Sequence, residues 1–210
     1  IAEIRRGNSH YCDPQGTIGL REAICDHLLH TRGLHVLPDR VVVTTGGKPG
    51  IGFTIQSYAN PGDEVIYPSP GFPIYESWIT YAGARPVPLH LREESGFTFT
   101  PDDLAALITP RTRVIFLCSP SNPTGGVLSK DELEGIAQVI RERAPRDVRV
   151  YSDEIYEQCI FDGATHHSIA AEDGMEDRTI ISSGHSKGFA MTGWRLGFTV
   201  LPTAAEAAIF

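Results

Sequence analysis

Apolar positions recur at helical spacing from Ile18 to Arg32, with Leu20, Ile24, Leu28 and Leu29 assigned to one face and Gly33 as the stop. Val41 to Thr45 is a short continuous apolar run that enters Gly46-Gly47, a strand leading into a tight turn. A helix with Ile51, Ile55 and Tyr58 follows, and Asn60-Pro61-Gly62-Asp63 marks the next turn. Glu64 to Tyr67 reads as a strand, Pro68 to Pro73 as a loop and Ile74 to Tyr81 as a helix. Ala84 to Leu89 and Arg113 to Leu117 are predicted strands, with a helix over Asp102 to Ile108 between them. Ser129 caps a helix reaching about Arg143, with Glu132 in its first turn. Val148 to Ser152 and Thr179 to Ser182 are further strands, Trp194 to Val200 is a strand-like run, and Ala204 to Phe210 is helical.

Strands and helices alternate, and the strands are mostly continuous apolar runs. This pattern predicts an α/β fold: a mostly parallel central sheet with helices on both faces. A length of 210 residues fits one domain with a full core, and 41% hydrophobic with 21% charged residues is ordinary for a soluble globular chain. The net charge of -8 argues against a nucleic-acid surface, and no run approaches the ~20 apolar residues of a membrane span. Ile1 to Asn8 carry no secretory signal pattern. Cys12, Cys25, Cys118 and Cys159 lack CxxC spacing, so the expectation is reduced thiols in a cytoplasmic protein without a cysteine metal site. Opening on Ile and closing in a helical run, the chain reads as part of a longer polypeptide.

The chemistry gathers at strand ends, where doubly wound sheets bind ligands. The strand ending at Ser182 delivers Ser183, Gly184 and His185 into a loop that ends at Lys187, and Arg195 follows eight positions later. A lysine among small residues with an arginine nearby suits Schiff-base chemistry on a phosphorylated cofactor; a solvated lysine is the plain alternative. Gly46-Gly47-Lys48 opens a helix whose free amides suit a phosphate, although Val42 and Pro49 rule out a Walker P-loop. Asn122, held between prolines, is placed to aim one amide at a ligand, or simply to make a turn. Asp153-Glu154, with Tyr156 beyond, offers a carboxylate for a cationic ring nitrogen, a Walker B acid or a structural hydrogen bond. Gly184-His185-Ser186-Lys187-Gly188 fits the hydrolase elbow G-x-S-x-G, but no histidine lies downstream of Ser186 to complete a triad. His166-His167 read as surface histidines rather than metal ligands.

Taken together, five segments resemble the class I aminotransferases, the pyridoxal-phosphate enzymes of the aspartate aminotransferase fold. They are Tyr11 to Ile24, Pro68 to Tyr75 (PSPGFPIY), Ser119 to Gly126 (SPSNPTGG), Ser152 to Tyr156 (SDEIY) and Ser186 to Gly197 (SKGFAMTGWRLG), in the family's order. The resemblance implies that residues 1–210 are the large cofactor-binding domain of a three-layer α/β/α enzyme, without the small C-terminal domain. It implies that Lys187 carries pyridoxal 5'-phosphate as a Schiff base and that Asp153 pairs with the pyridine nitrogen. Asn122 and Tyr156 would reach the ring's 3-oxygen, and Phe72 would stack on the ring. Arg195, Ser186 and the amides near Gly47 match phosphate contacts, and Tyr11 matches a tyrosine reaching the phosphate of a neighbouring subunit in a homodimer with shared sites. Many relatives have Ser three residues before the lysine; here it is Gly184, which cannot supply that phosphate hydrogen bond. Amino acids and 2-oxo acids are the implied substrates, and Lys48 sits where some relatives meet a second carboxylate, leaning towards aspartate or glutamate. Lyases and synthases on the same fold are the alternative, followed by a ligand-sensing module of a regulator.

Overall fold

The computed structural model describes residues 1–210. A short helix α1 (Ala2–Arg5) and an exposed stretch precede α2 (Ile18–Arg32), which ends where Gly33 turns left-handed at φ 70°. Then come β1 (Val41–Thr45), α3 (Lys48–Tyr58), β2 (Glu64–Ser69), α4 (Ile74–Tyr81), β3 (Arg85–His90), α5 (Pro101–Ala105) and β4 (Thr112–Cys118). The second half supplies α6 (Lys130–Arg143), β5 (Arg149–Asp153), β6 (Thr179–Gly184), β7 (Leu196–Val200) and α7 (Ala204–Ala207).

The strands form one sheet in the order β1-β7-β6-β5-β4-β2-β3. Pairs from β6 across to β3 are parallel, whereas β7 runs antiparallel to both β1 and β6. Buried strands need apolar residues on both faces, and β4 shows why its run is unbroken. Val114 and Phe116 pack with Ile51, Ile55 and Ile79 of α3 and α4, while Ile115 and Leu117 pack with Leu133, Ile136 and Ile140 of α6. The α2 helix covers β1, β6 and β7 through Ile24, Leu28, Val41, Ile181 and Phe198. The result is three layers, helix–sheet–helix.

Several sequence expectations change: β2 runs on through Pro68 and Ser69, and β6 through Ser183 and Gly184, all expected in loops. Leu29 is exposed, and Arg21 and Cys25 take the buried positions beside Ile24 and Leu28. Helix α5 spans Pro101–Ala105, stopping short of Ile108. Trp194 is exposed in a short 3-10 turn, and Arg195 adopts a left-handed conformation (φ 51°), so β7 begins only at Leu196. The last helix closes at Ala207. The α6 cap forms as expected: Ser129 Oγ accepts from the Glu132 N–H, and a Glu132 carboxylate oxygen accepts from the Ser129 N–H at 2.7 Å. No helix is long and apolar enough to cross a membrane.

Candidate active site

Strands β1, β2, β4, β5 and β6 all end at the same edge of the sheet, and antiparallel β7 begins there. In register terms, Gly184 at the end of β6 faces Gly197 near the start of β7, and Thr45 faces Leu196. Loops separated by up to 150 residues therefore open onto one cavity of about 520 Å³. Gly47 and Lys48 enter it from the start of α3, Phe72 from the loop before α4, and Asn122 from the loop after β4. Asp153 and Tyr156 come from the end of β5, Ser186 and Lys187 from beyond β6, and Arg195 from ahead of β7. Tyr11 does not join them; it is fully exposed on the N-terminal stretch.

Asp153 forms the buried floor. Its Oδ2 accepts the Tyr75 hydroxyl proton at 2.6 Å and its Oδ1 accepts the Ile155 N–H at 3.3 Å. Burial pushes its carboxyl up to about 6, with both hydrogen bonds acting the other way. No lysine, arginine or histidine forms a salt bridge with it. The next residue is its opposite: Glu154, equally buried, is paired with Arg32 and held down at about 2, with the Arg32 charge the leading favourable cause. One carboxylate thus faces the cavity without a cation while its neighbour faces away, neutralised.

Around the rim, Lys187 Nζ lies 5.5 Å from the centre of the Tyr156 ring, and Lys48 Nζ lies 5.7 Å from the centre of Phe72. Arg195 is aimed by its own strained backbone: its Nη1 donates to the Thr192 carbonyl at 2.7 Å, and its guanidinium fills the place a Cβ would take on Gly46. Gly184 is required by packing. A Cβ there would sit 2.9 Å from both the Gly197 Cα and the Leu196 carbonyl oxygen, so a serine would have to displace β7.

The sequence pattern of the class I and II aminotransferases matches residues 2–209. The chain belongs to that family. An aspartate aminotransferase of Musicola paradisiaca is 41% identical over 203 residues, 96% of this chain and 50% of its own length. An arginine–pyruvate transaminase of Pseudomonas aeruginosa is 40% identical over 204 residues, 97% of this chain and 51% of its own. The crystal structure of an aromatic aminotransferase from Pyrococcus horikoshii superposes with a TM-score of 0.93 at 39% identity, covering 99% of this chain and 55% of that one. The fold is that of the aspartate aminotransferases, and the chain spans about half the length of the curated relatives it matches.

Aminotransferases of this family use pyridoxal phosphate, and the cavity suits it on its own chemistry. A buried carboxylate raised by burial is stabilised by a cationic ring nitrogen. Arg195 and the N-terminal end of α3 also line the cavity, and a guanidinium with free helix-start amides is the chemistry a phosphate requires. The cavity is also lined by Tyr75, Thr192 and Cys118, and by Ile51 and Ile155, which the sequence did not single out as site residues. Tyr75 sits in the PSPGFPIY segment, its N–H donating to the Phe72 carbonyl at 3.0 Å, and that segment was the available signal. Cys118 is an inert thiol there, pushed up to about 12 by burial. His166 is a correction: it is largely buried, because its Nε2 is drawn to Glu154 at 3.1 Å. No histidine lines the cavity, so Ser186 has no triad partner there.

Proposed function

We propose that the protein is a pyridoxal-phosphate-dependent aminotransferase that moves an amino group between an amino acid and a 2-oxo acid. In this reading residues 1–210 are its large domain, and the working form is a cytoplasmic homodimer in which Tyr11 reaches the partner's site. The observation that carries it is the convergence of Lys187, Asp153, Tyr156, Asn122, Phe72 and Arg195 on one cavity from four separate loops.

The cofactor, when bound, supplies an electron sink for the carbanion formed at the substrate's α-carbon. Asp153 holds a proton on the ring nitrogen through its carboxylate, which is why a buried, cation-free acid belongs there. Lys187 would hold the cofactor through Nζ and, as a free amine, would move the substrate's α-proton as general base. Tyr156 and Asn122 would hold the ring's 3-oxygen, and Phe72 would pack against the ring. Arg195 and the amides at Gly47 anchor the phosphate; Gly184 offers no side chain for that task, leaving Ser186 and Arg195 as its side-chain donors on this strand pair. Lys48, pointing into the cavity over Phe72, favours a substrate with a second carboxylate, aspartate or glutamate. The relatives named above differ in substrate at nearly equal identity, so this preference rests on Lys48 and not on overall similarity.

Borohydride reduction of the full-length protein loaded with pyridoxal phosphate, followed by peptide mapping, should place the adduct on Lys187. An adduct on Lys48 or Lys130 instead would refute the assignment.

A further inference from the structure

Behind the Asp153–Tyr156 turn lies a buried charge cluster that touches no part of the cavity. Arg32, the last residue of α2, has a side chain only 1% exposed. Its Nε donates to Glu154 at 2.7 Å, and its Nη2 donates to Glu157. One guanidinium thus forks across both ends of a single turn, Glu154 to Glu157, whose middle residues Ile155 and Tyr156 face the cavity. The turn is closed by the Glu157 N–H donating to the Glu154 carbonyl at 2.9 Å.

The carboxylates are otherwise satisfied. Glu154 also accepts from Ser152 at 2.9 Å, Ser168 at 2.5 Å and His166 at 3.1 Å. Glu157 also engages His27 at 3.3 Å and Ser183 at 3.4 Å, and the Ser183 hydroxyl reaches the Glu154 carbonyl at 3.3 Å. Glu154, Glu157 and His166 have ligand atoms within 4.8 Å of one another, the spacing of a metal site. Arg32 already supplies the positive charge among them, so the cluster is an ion-pair network. Its members come from α2, from the strand that carries Asp153, from the 166–168 loop and from β6, the strand leading to Lys187.

We propose that Arg32 is a positioning residue of the reaction: through its fork to Glu154 and Glu157 it fixes the turn that aims Tyr156 into the cavity. This rests on the aminotransferase reading above. Arg32 touches neither substrate nor cofactor; it acts on the hydroxyl of Tyr156 through the backbone of that turn. Arginine is required because a lysine is a point charge and cannot span two carboxylates. Loss of the fork removes the arginine charge from two buried carboxylates beside Asp153 and leaves them the Ser152, Ser168 and Ser183 hydroxyls with His27 and His166.

The test uses the full-length protein, as wild type, Arg32→Met, Arg32→Lys and a control, Arg178→Met, whose arginine bonds only backbone carbonyls far from the turn. In cofactor-free protein, hydrogen exchange at Glu157 and Cys159 should quicken at least about tenfold in Arg32→Met, while β4 stays protected. With pyridoxal phosphate bound, the pH midpoint of its absorbance should move upward by about one unit. The reason is that a hydroxyl donating to the ring's 3-oxygen favours the less protonated form, and a displaced Tyr156 donates poorly. Turnover should fall between about tenfold and about a hundredfold with KM changing little. Arg32→Lys should recover part of each effect, and the control should show none. Should Arg32→Met not fold, Glu157→Gln keeps the shape, removes one prong's charge, and should shift the midpoint the same way by less. Unchanged exchange and an unchanged midpoint in whichever variant folds overturn the proposal, even if stability drops, since that is a structural role only. Absence of a lysine-bound chromophore in the wild type overturns the aminotransferase reading first, and the proposal with it.

Discussion

Tyr75→Phe isolates the groups that control Asp153. The substitution removes one oxygen and leaves the ring, which stacks on Phe116 at 4.8 Å and meets Phe72 edge-on at 5.9 Å. Asp153 then keeps a single donor, the Ile155 N–H at 3.3 Å. Tyr75 is itself held protonated, its phenol raised by burial and by Asp153, so in the wild type it acts as a donor throughout the accessible pH range. A hydrogen bond to a charged group contributes ~1.5–3 kcal/mol, or roughly one to two pH units at 1.36 kcal/mol each. Starting from about 6, the Asp153 carboxyl in the variant should titrate one to two units higher by that ~1.5–3 kcal/mol.

Two measurements on cofactor-free protein read this out. Carboxyl ¹³C NMR, with Asp153→Asn to assign the resonance, should show the upward shift directly. Stability gives the second. Folded Asp153 binds its proton more tightly than the unfolded chain does, so its contribution to stability falls as pH rises from the ordinary carboxylate range to about 6. In Tyr75→Phe that fall should continue beyond pH 6, adding about 1.5–3 kcal/mol of loss relative to wild type. Glu154 does not interfere, because its lowered carboxyl changes stability only below the ordinary glutamate range, where stability is lost as pH drops towards about 2. Every other titratable group is common to both proteins and cancels in the difference. A variant that titrates at or below the wild-type midpoint, with superimposable urea curves above pH 6, would mean that Tyr75 does not govern the charge of Asp153.

Gly184→Ser should destabilise the protein by about 1–3 kcal/mol in urea unfolding, because its Cβ meets Gly197 and Leu196 at 2.9 Å; a wild-type midpoint would show that β7 yields freely. In full-length enzyme, Asp153→Asn should fall well below Asp153→Glu in turnover, since Asn keeps shape but loses charge; near-normal turnover of Asn would make Asp153 merely structural. Lys48→Met should raise KM for aspartate at least several-fold while leaving KM for an uncharged amino acid nearly unchanged, and equal effects on both would remove Lys48 from substrate selection.

Elements with strong local periodicity, such as α2 and α6, were legible in the chain because cap and stripe are encoded within a few residues. The residues at strand ends were legible for a related reason: each of Gly47, Asn122, Asp153 and Lys187 stands where an apolar run meets a turn. What stayed hidden depends on which strands are neighbours. Tyr75 meets Asp153 across 78 residues because β4 lies between β2 and β5 in the sheet, an order no local pattern announces. Arg32 and Glu154 meet across 122 residues, and a helix-terminal arginine reads as solvated until α2 is laid against the sheet.

The direction of β7 is the deepest of these hidden facts, since it decides whether Arg195 belongs to the site at all. Had β7 run parallel to β6, its first residue would have sat at the opposite edge of the sheet. Six strands run the same way and bring their carboxyl ends to one edge, and reversing β7 brings its amino end to the same place. The reversal is tight, and glycine makes it possible: Gly184 pairs with Gly197, and Gly197 in turn lies against the Gly46 backbone, leaving no room for a Cβ at Gly184 or Gly197. Arg195 then turns left-handed and lays its guanidinium over Gly46, beside the α3 amides. The close packing that leaves no room for a Cβ three residues before Lys187 is made by the same reversal that brings the Arg195 guanidinium to the cavity.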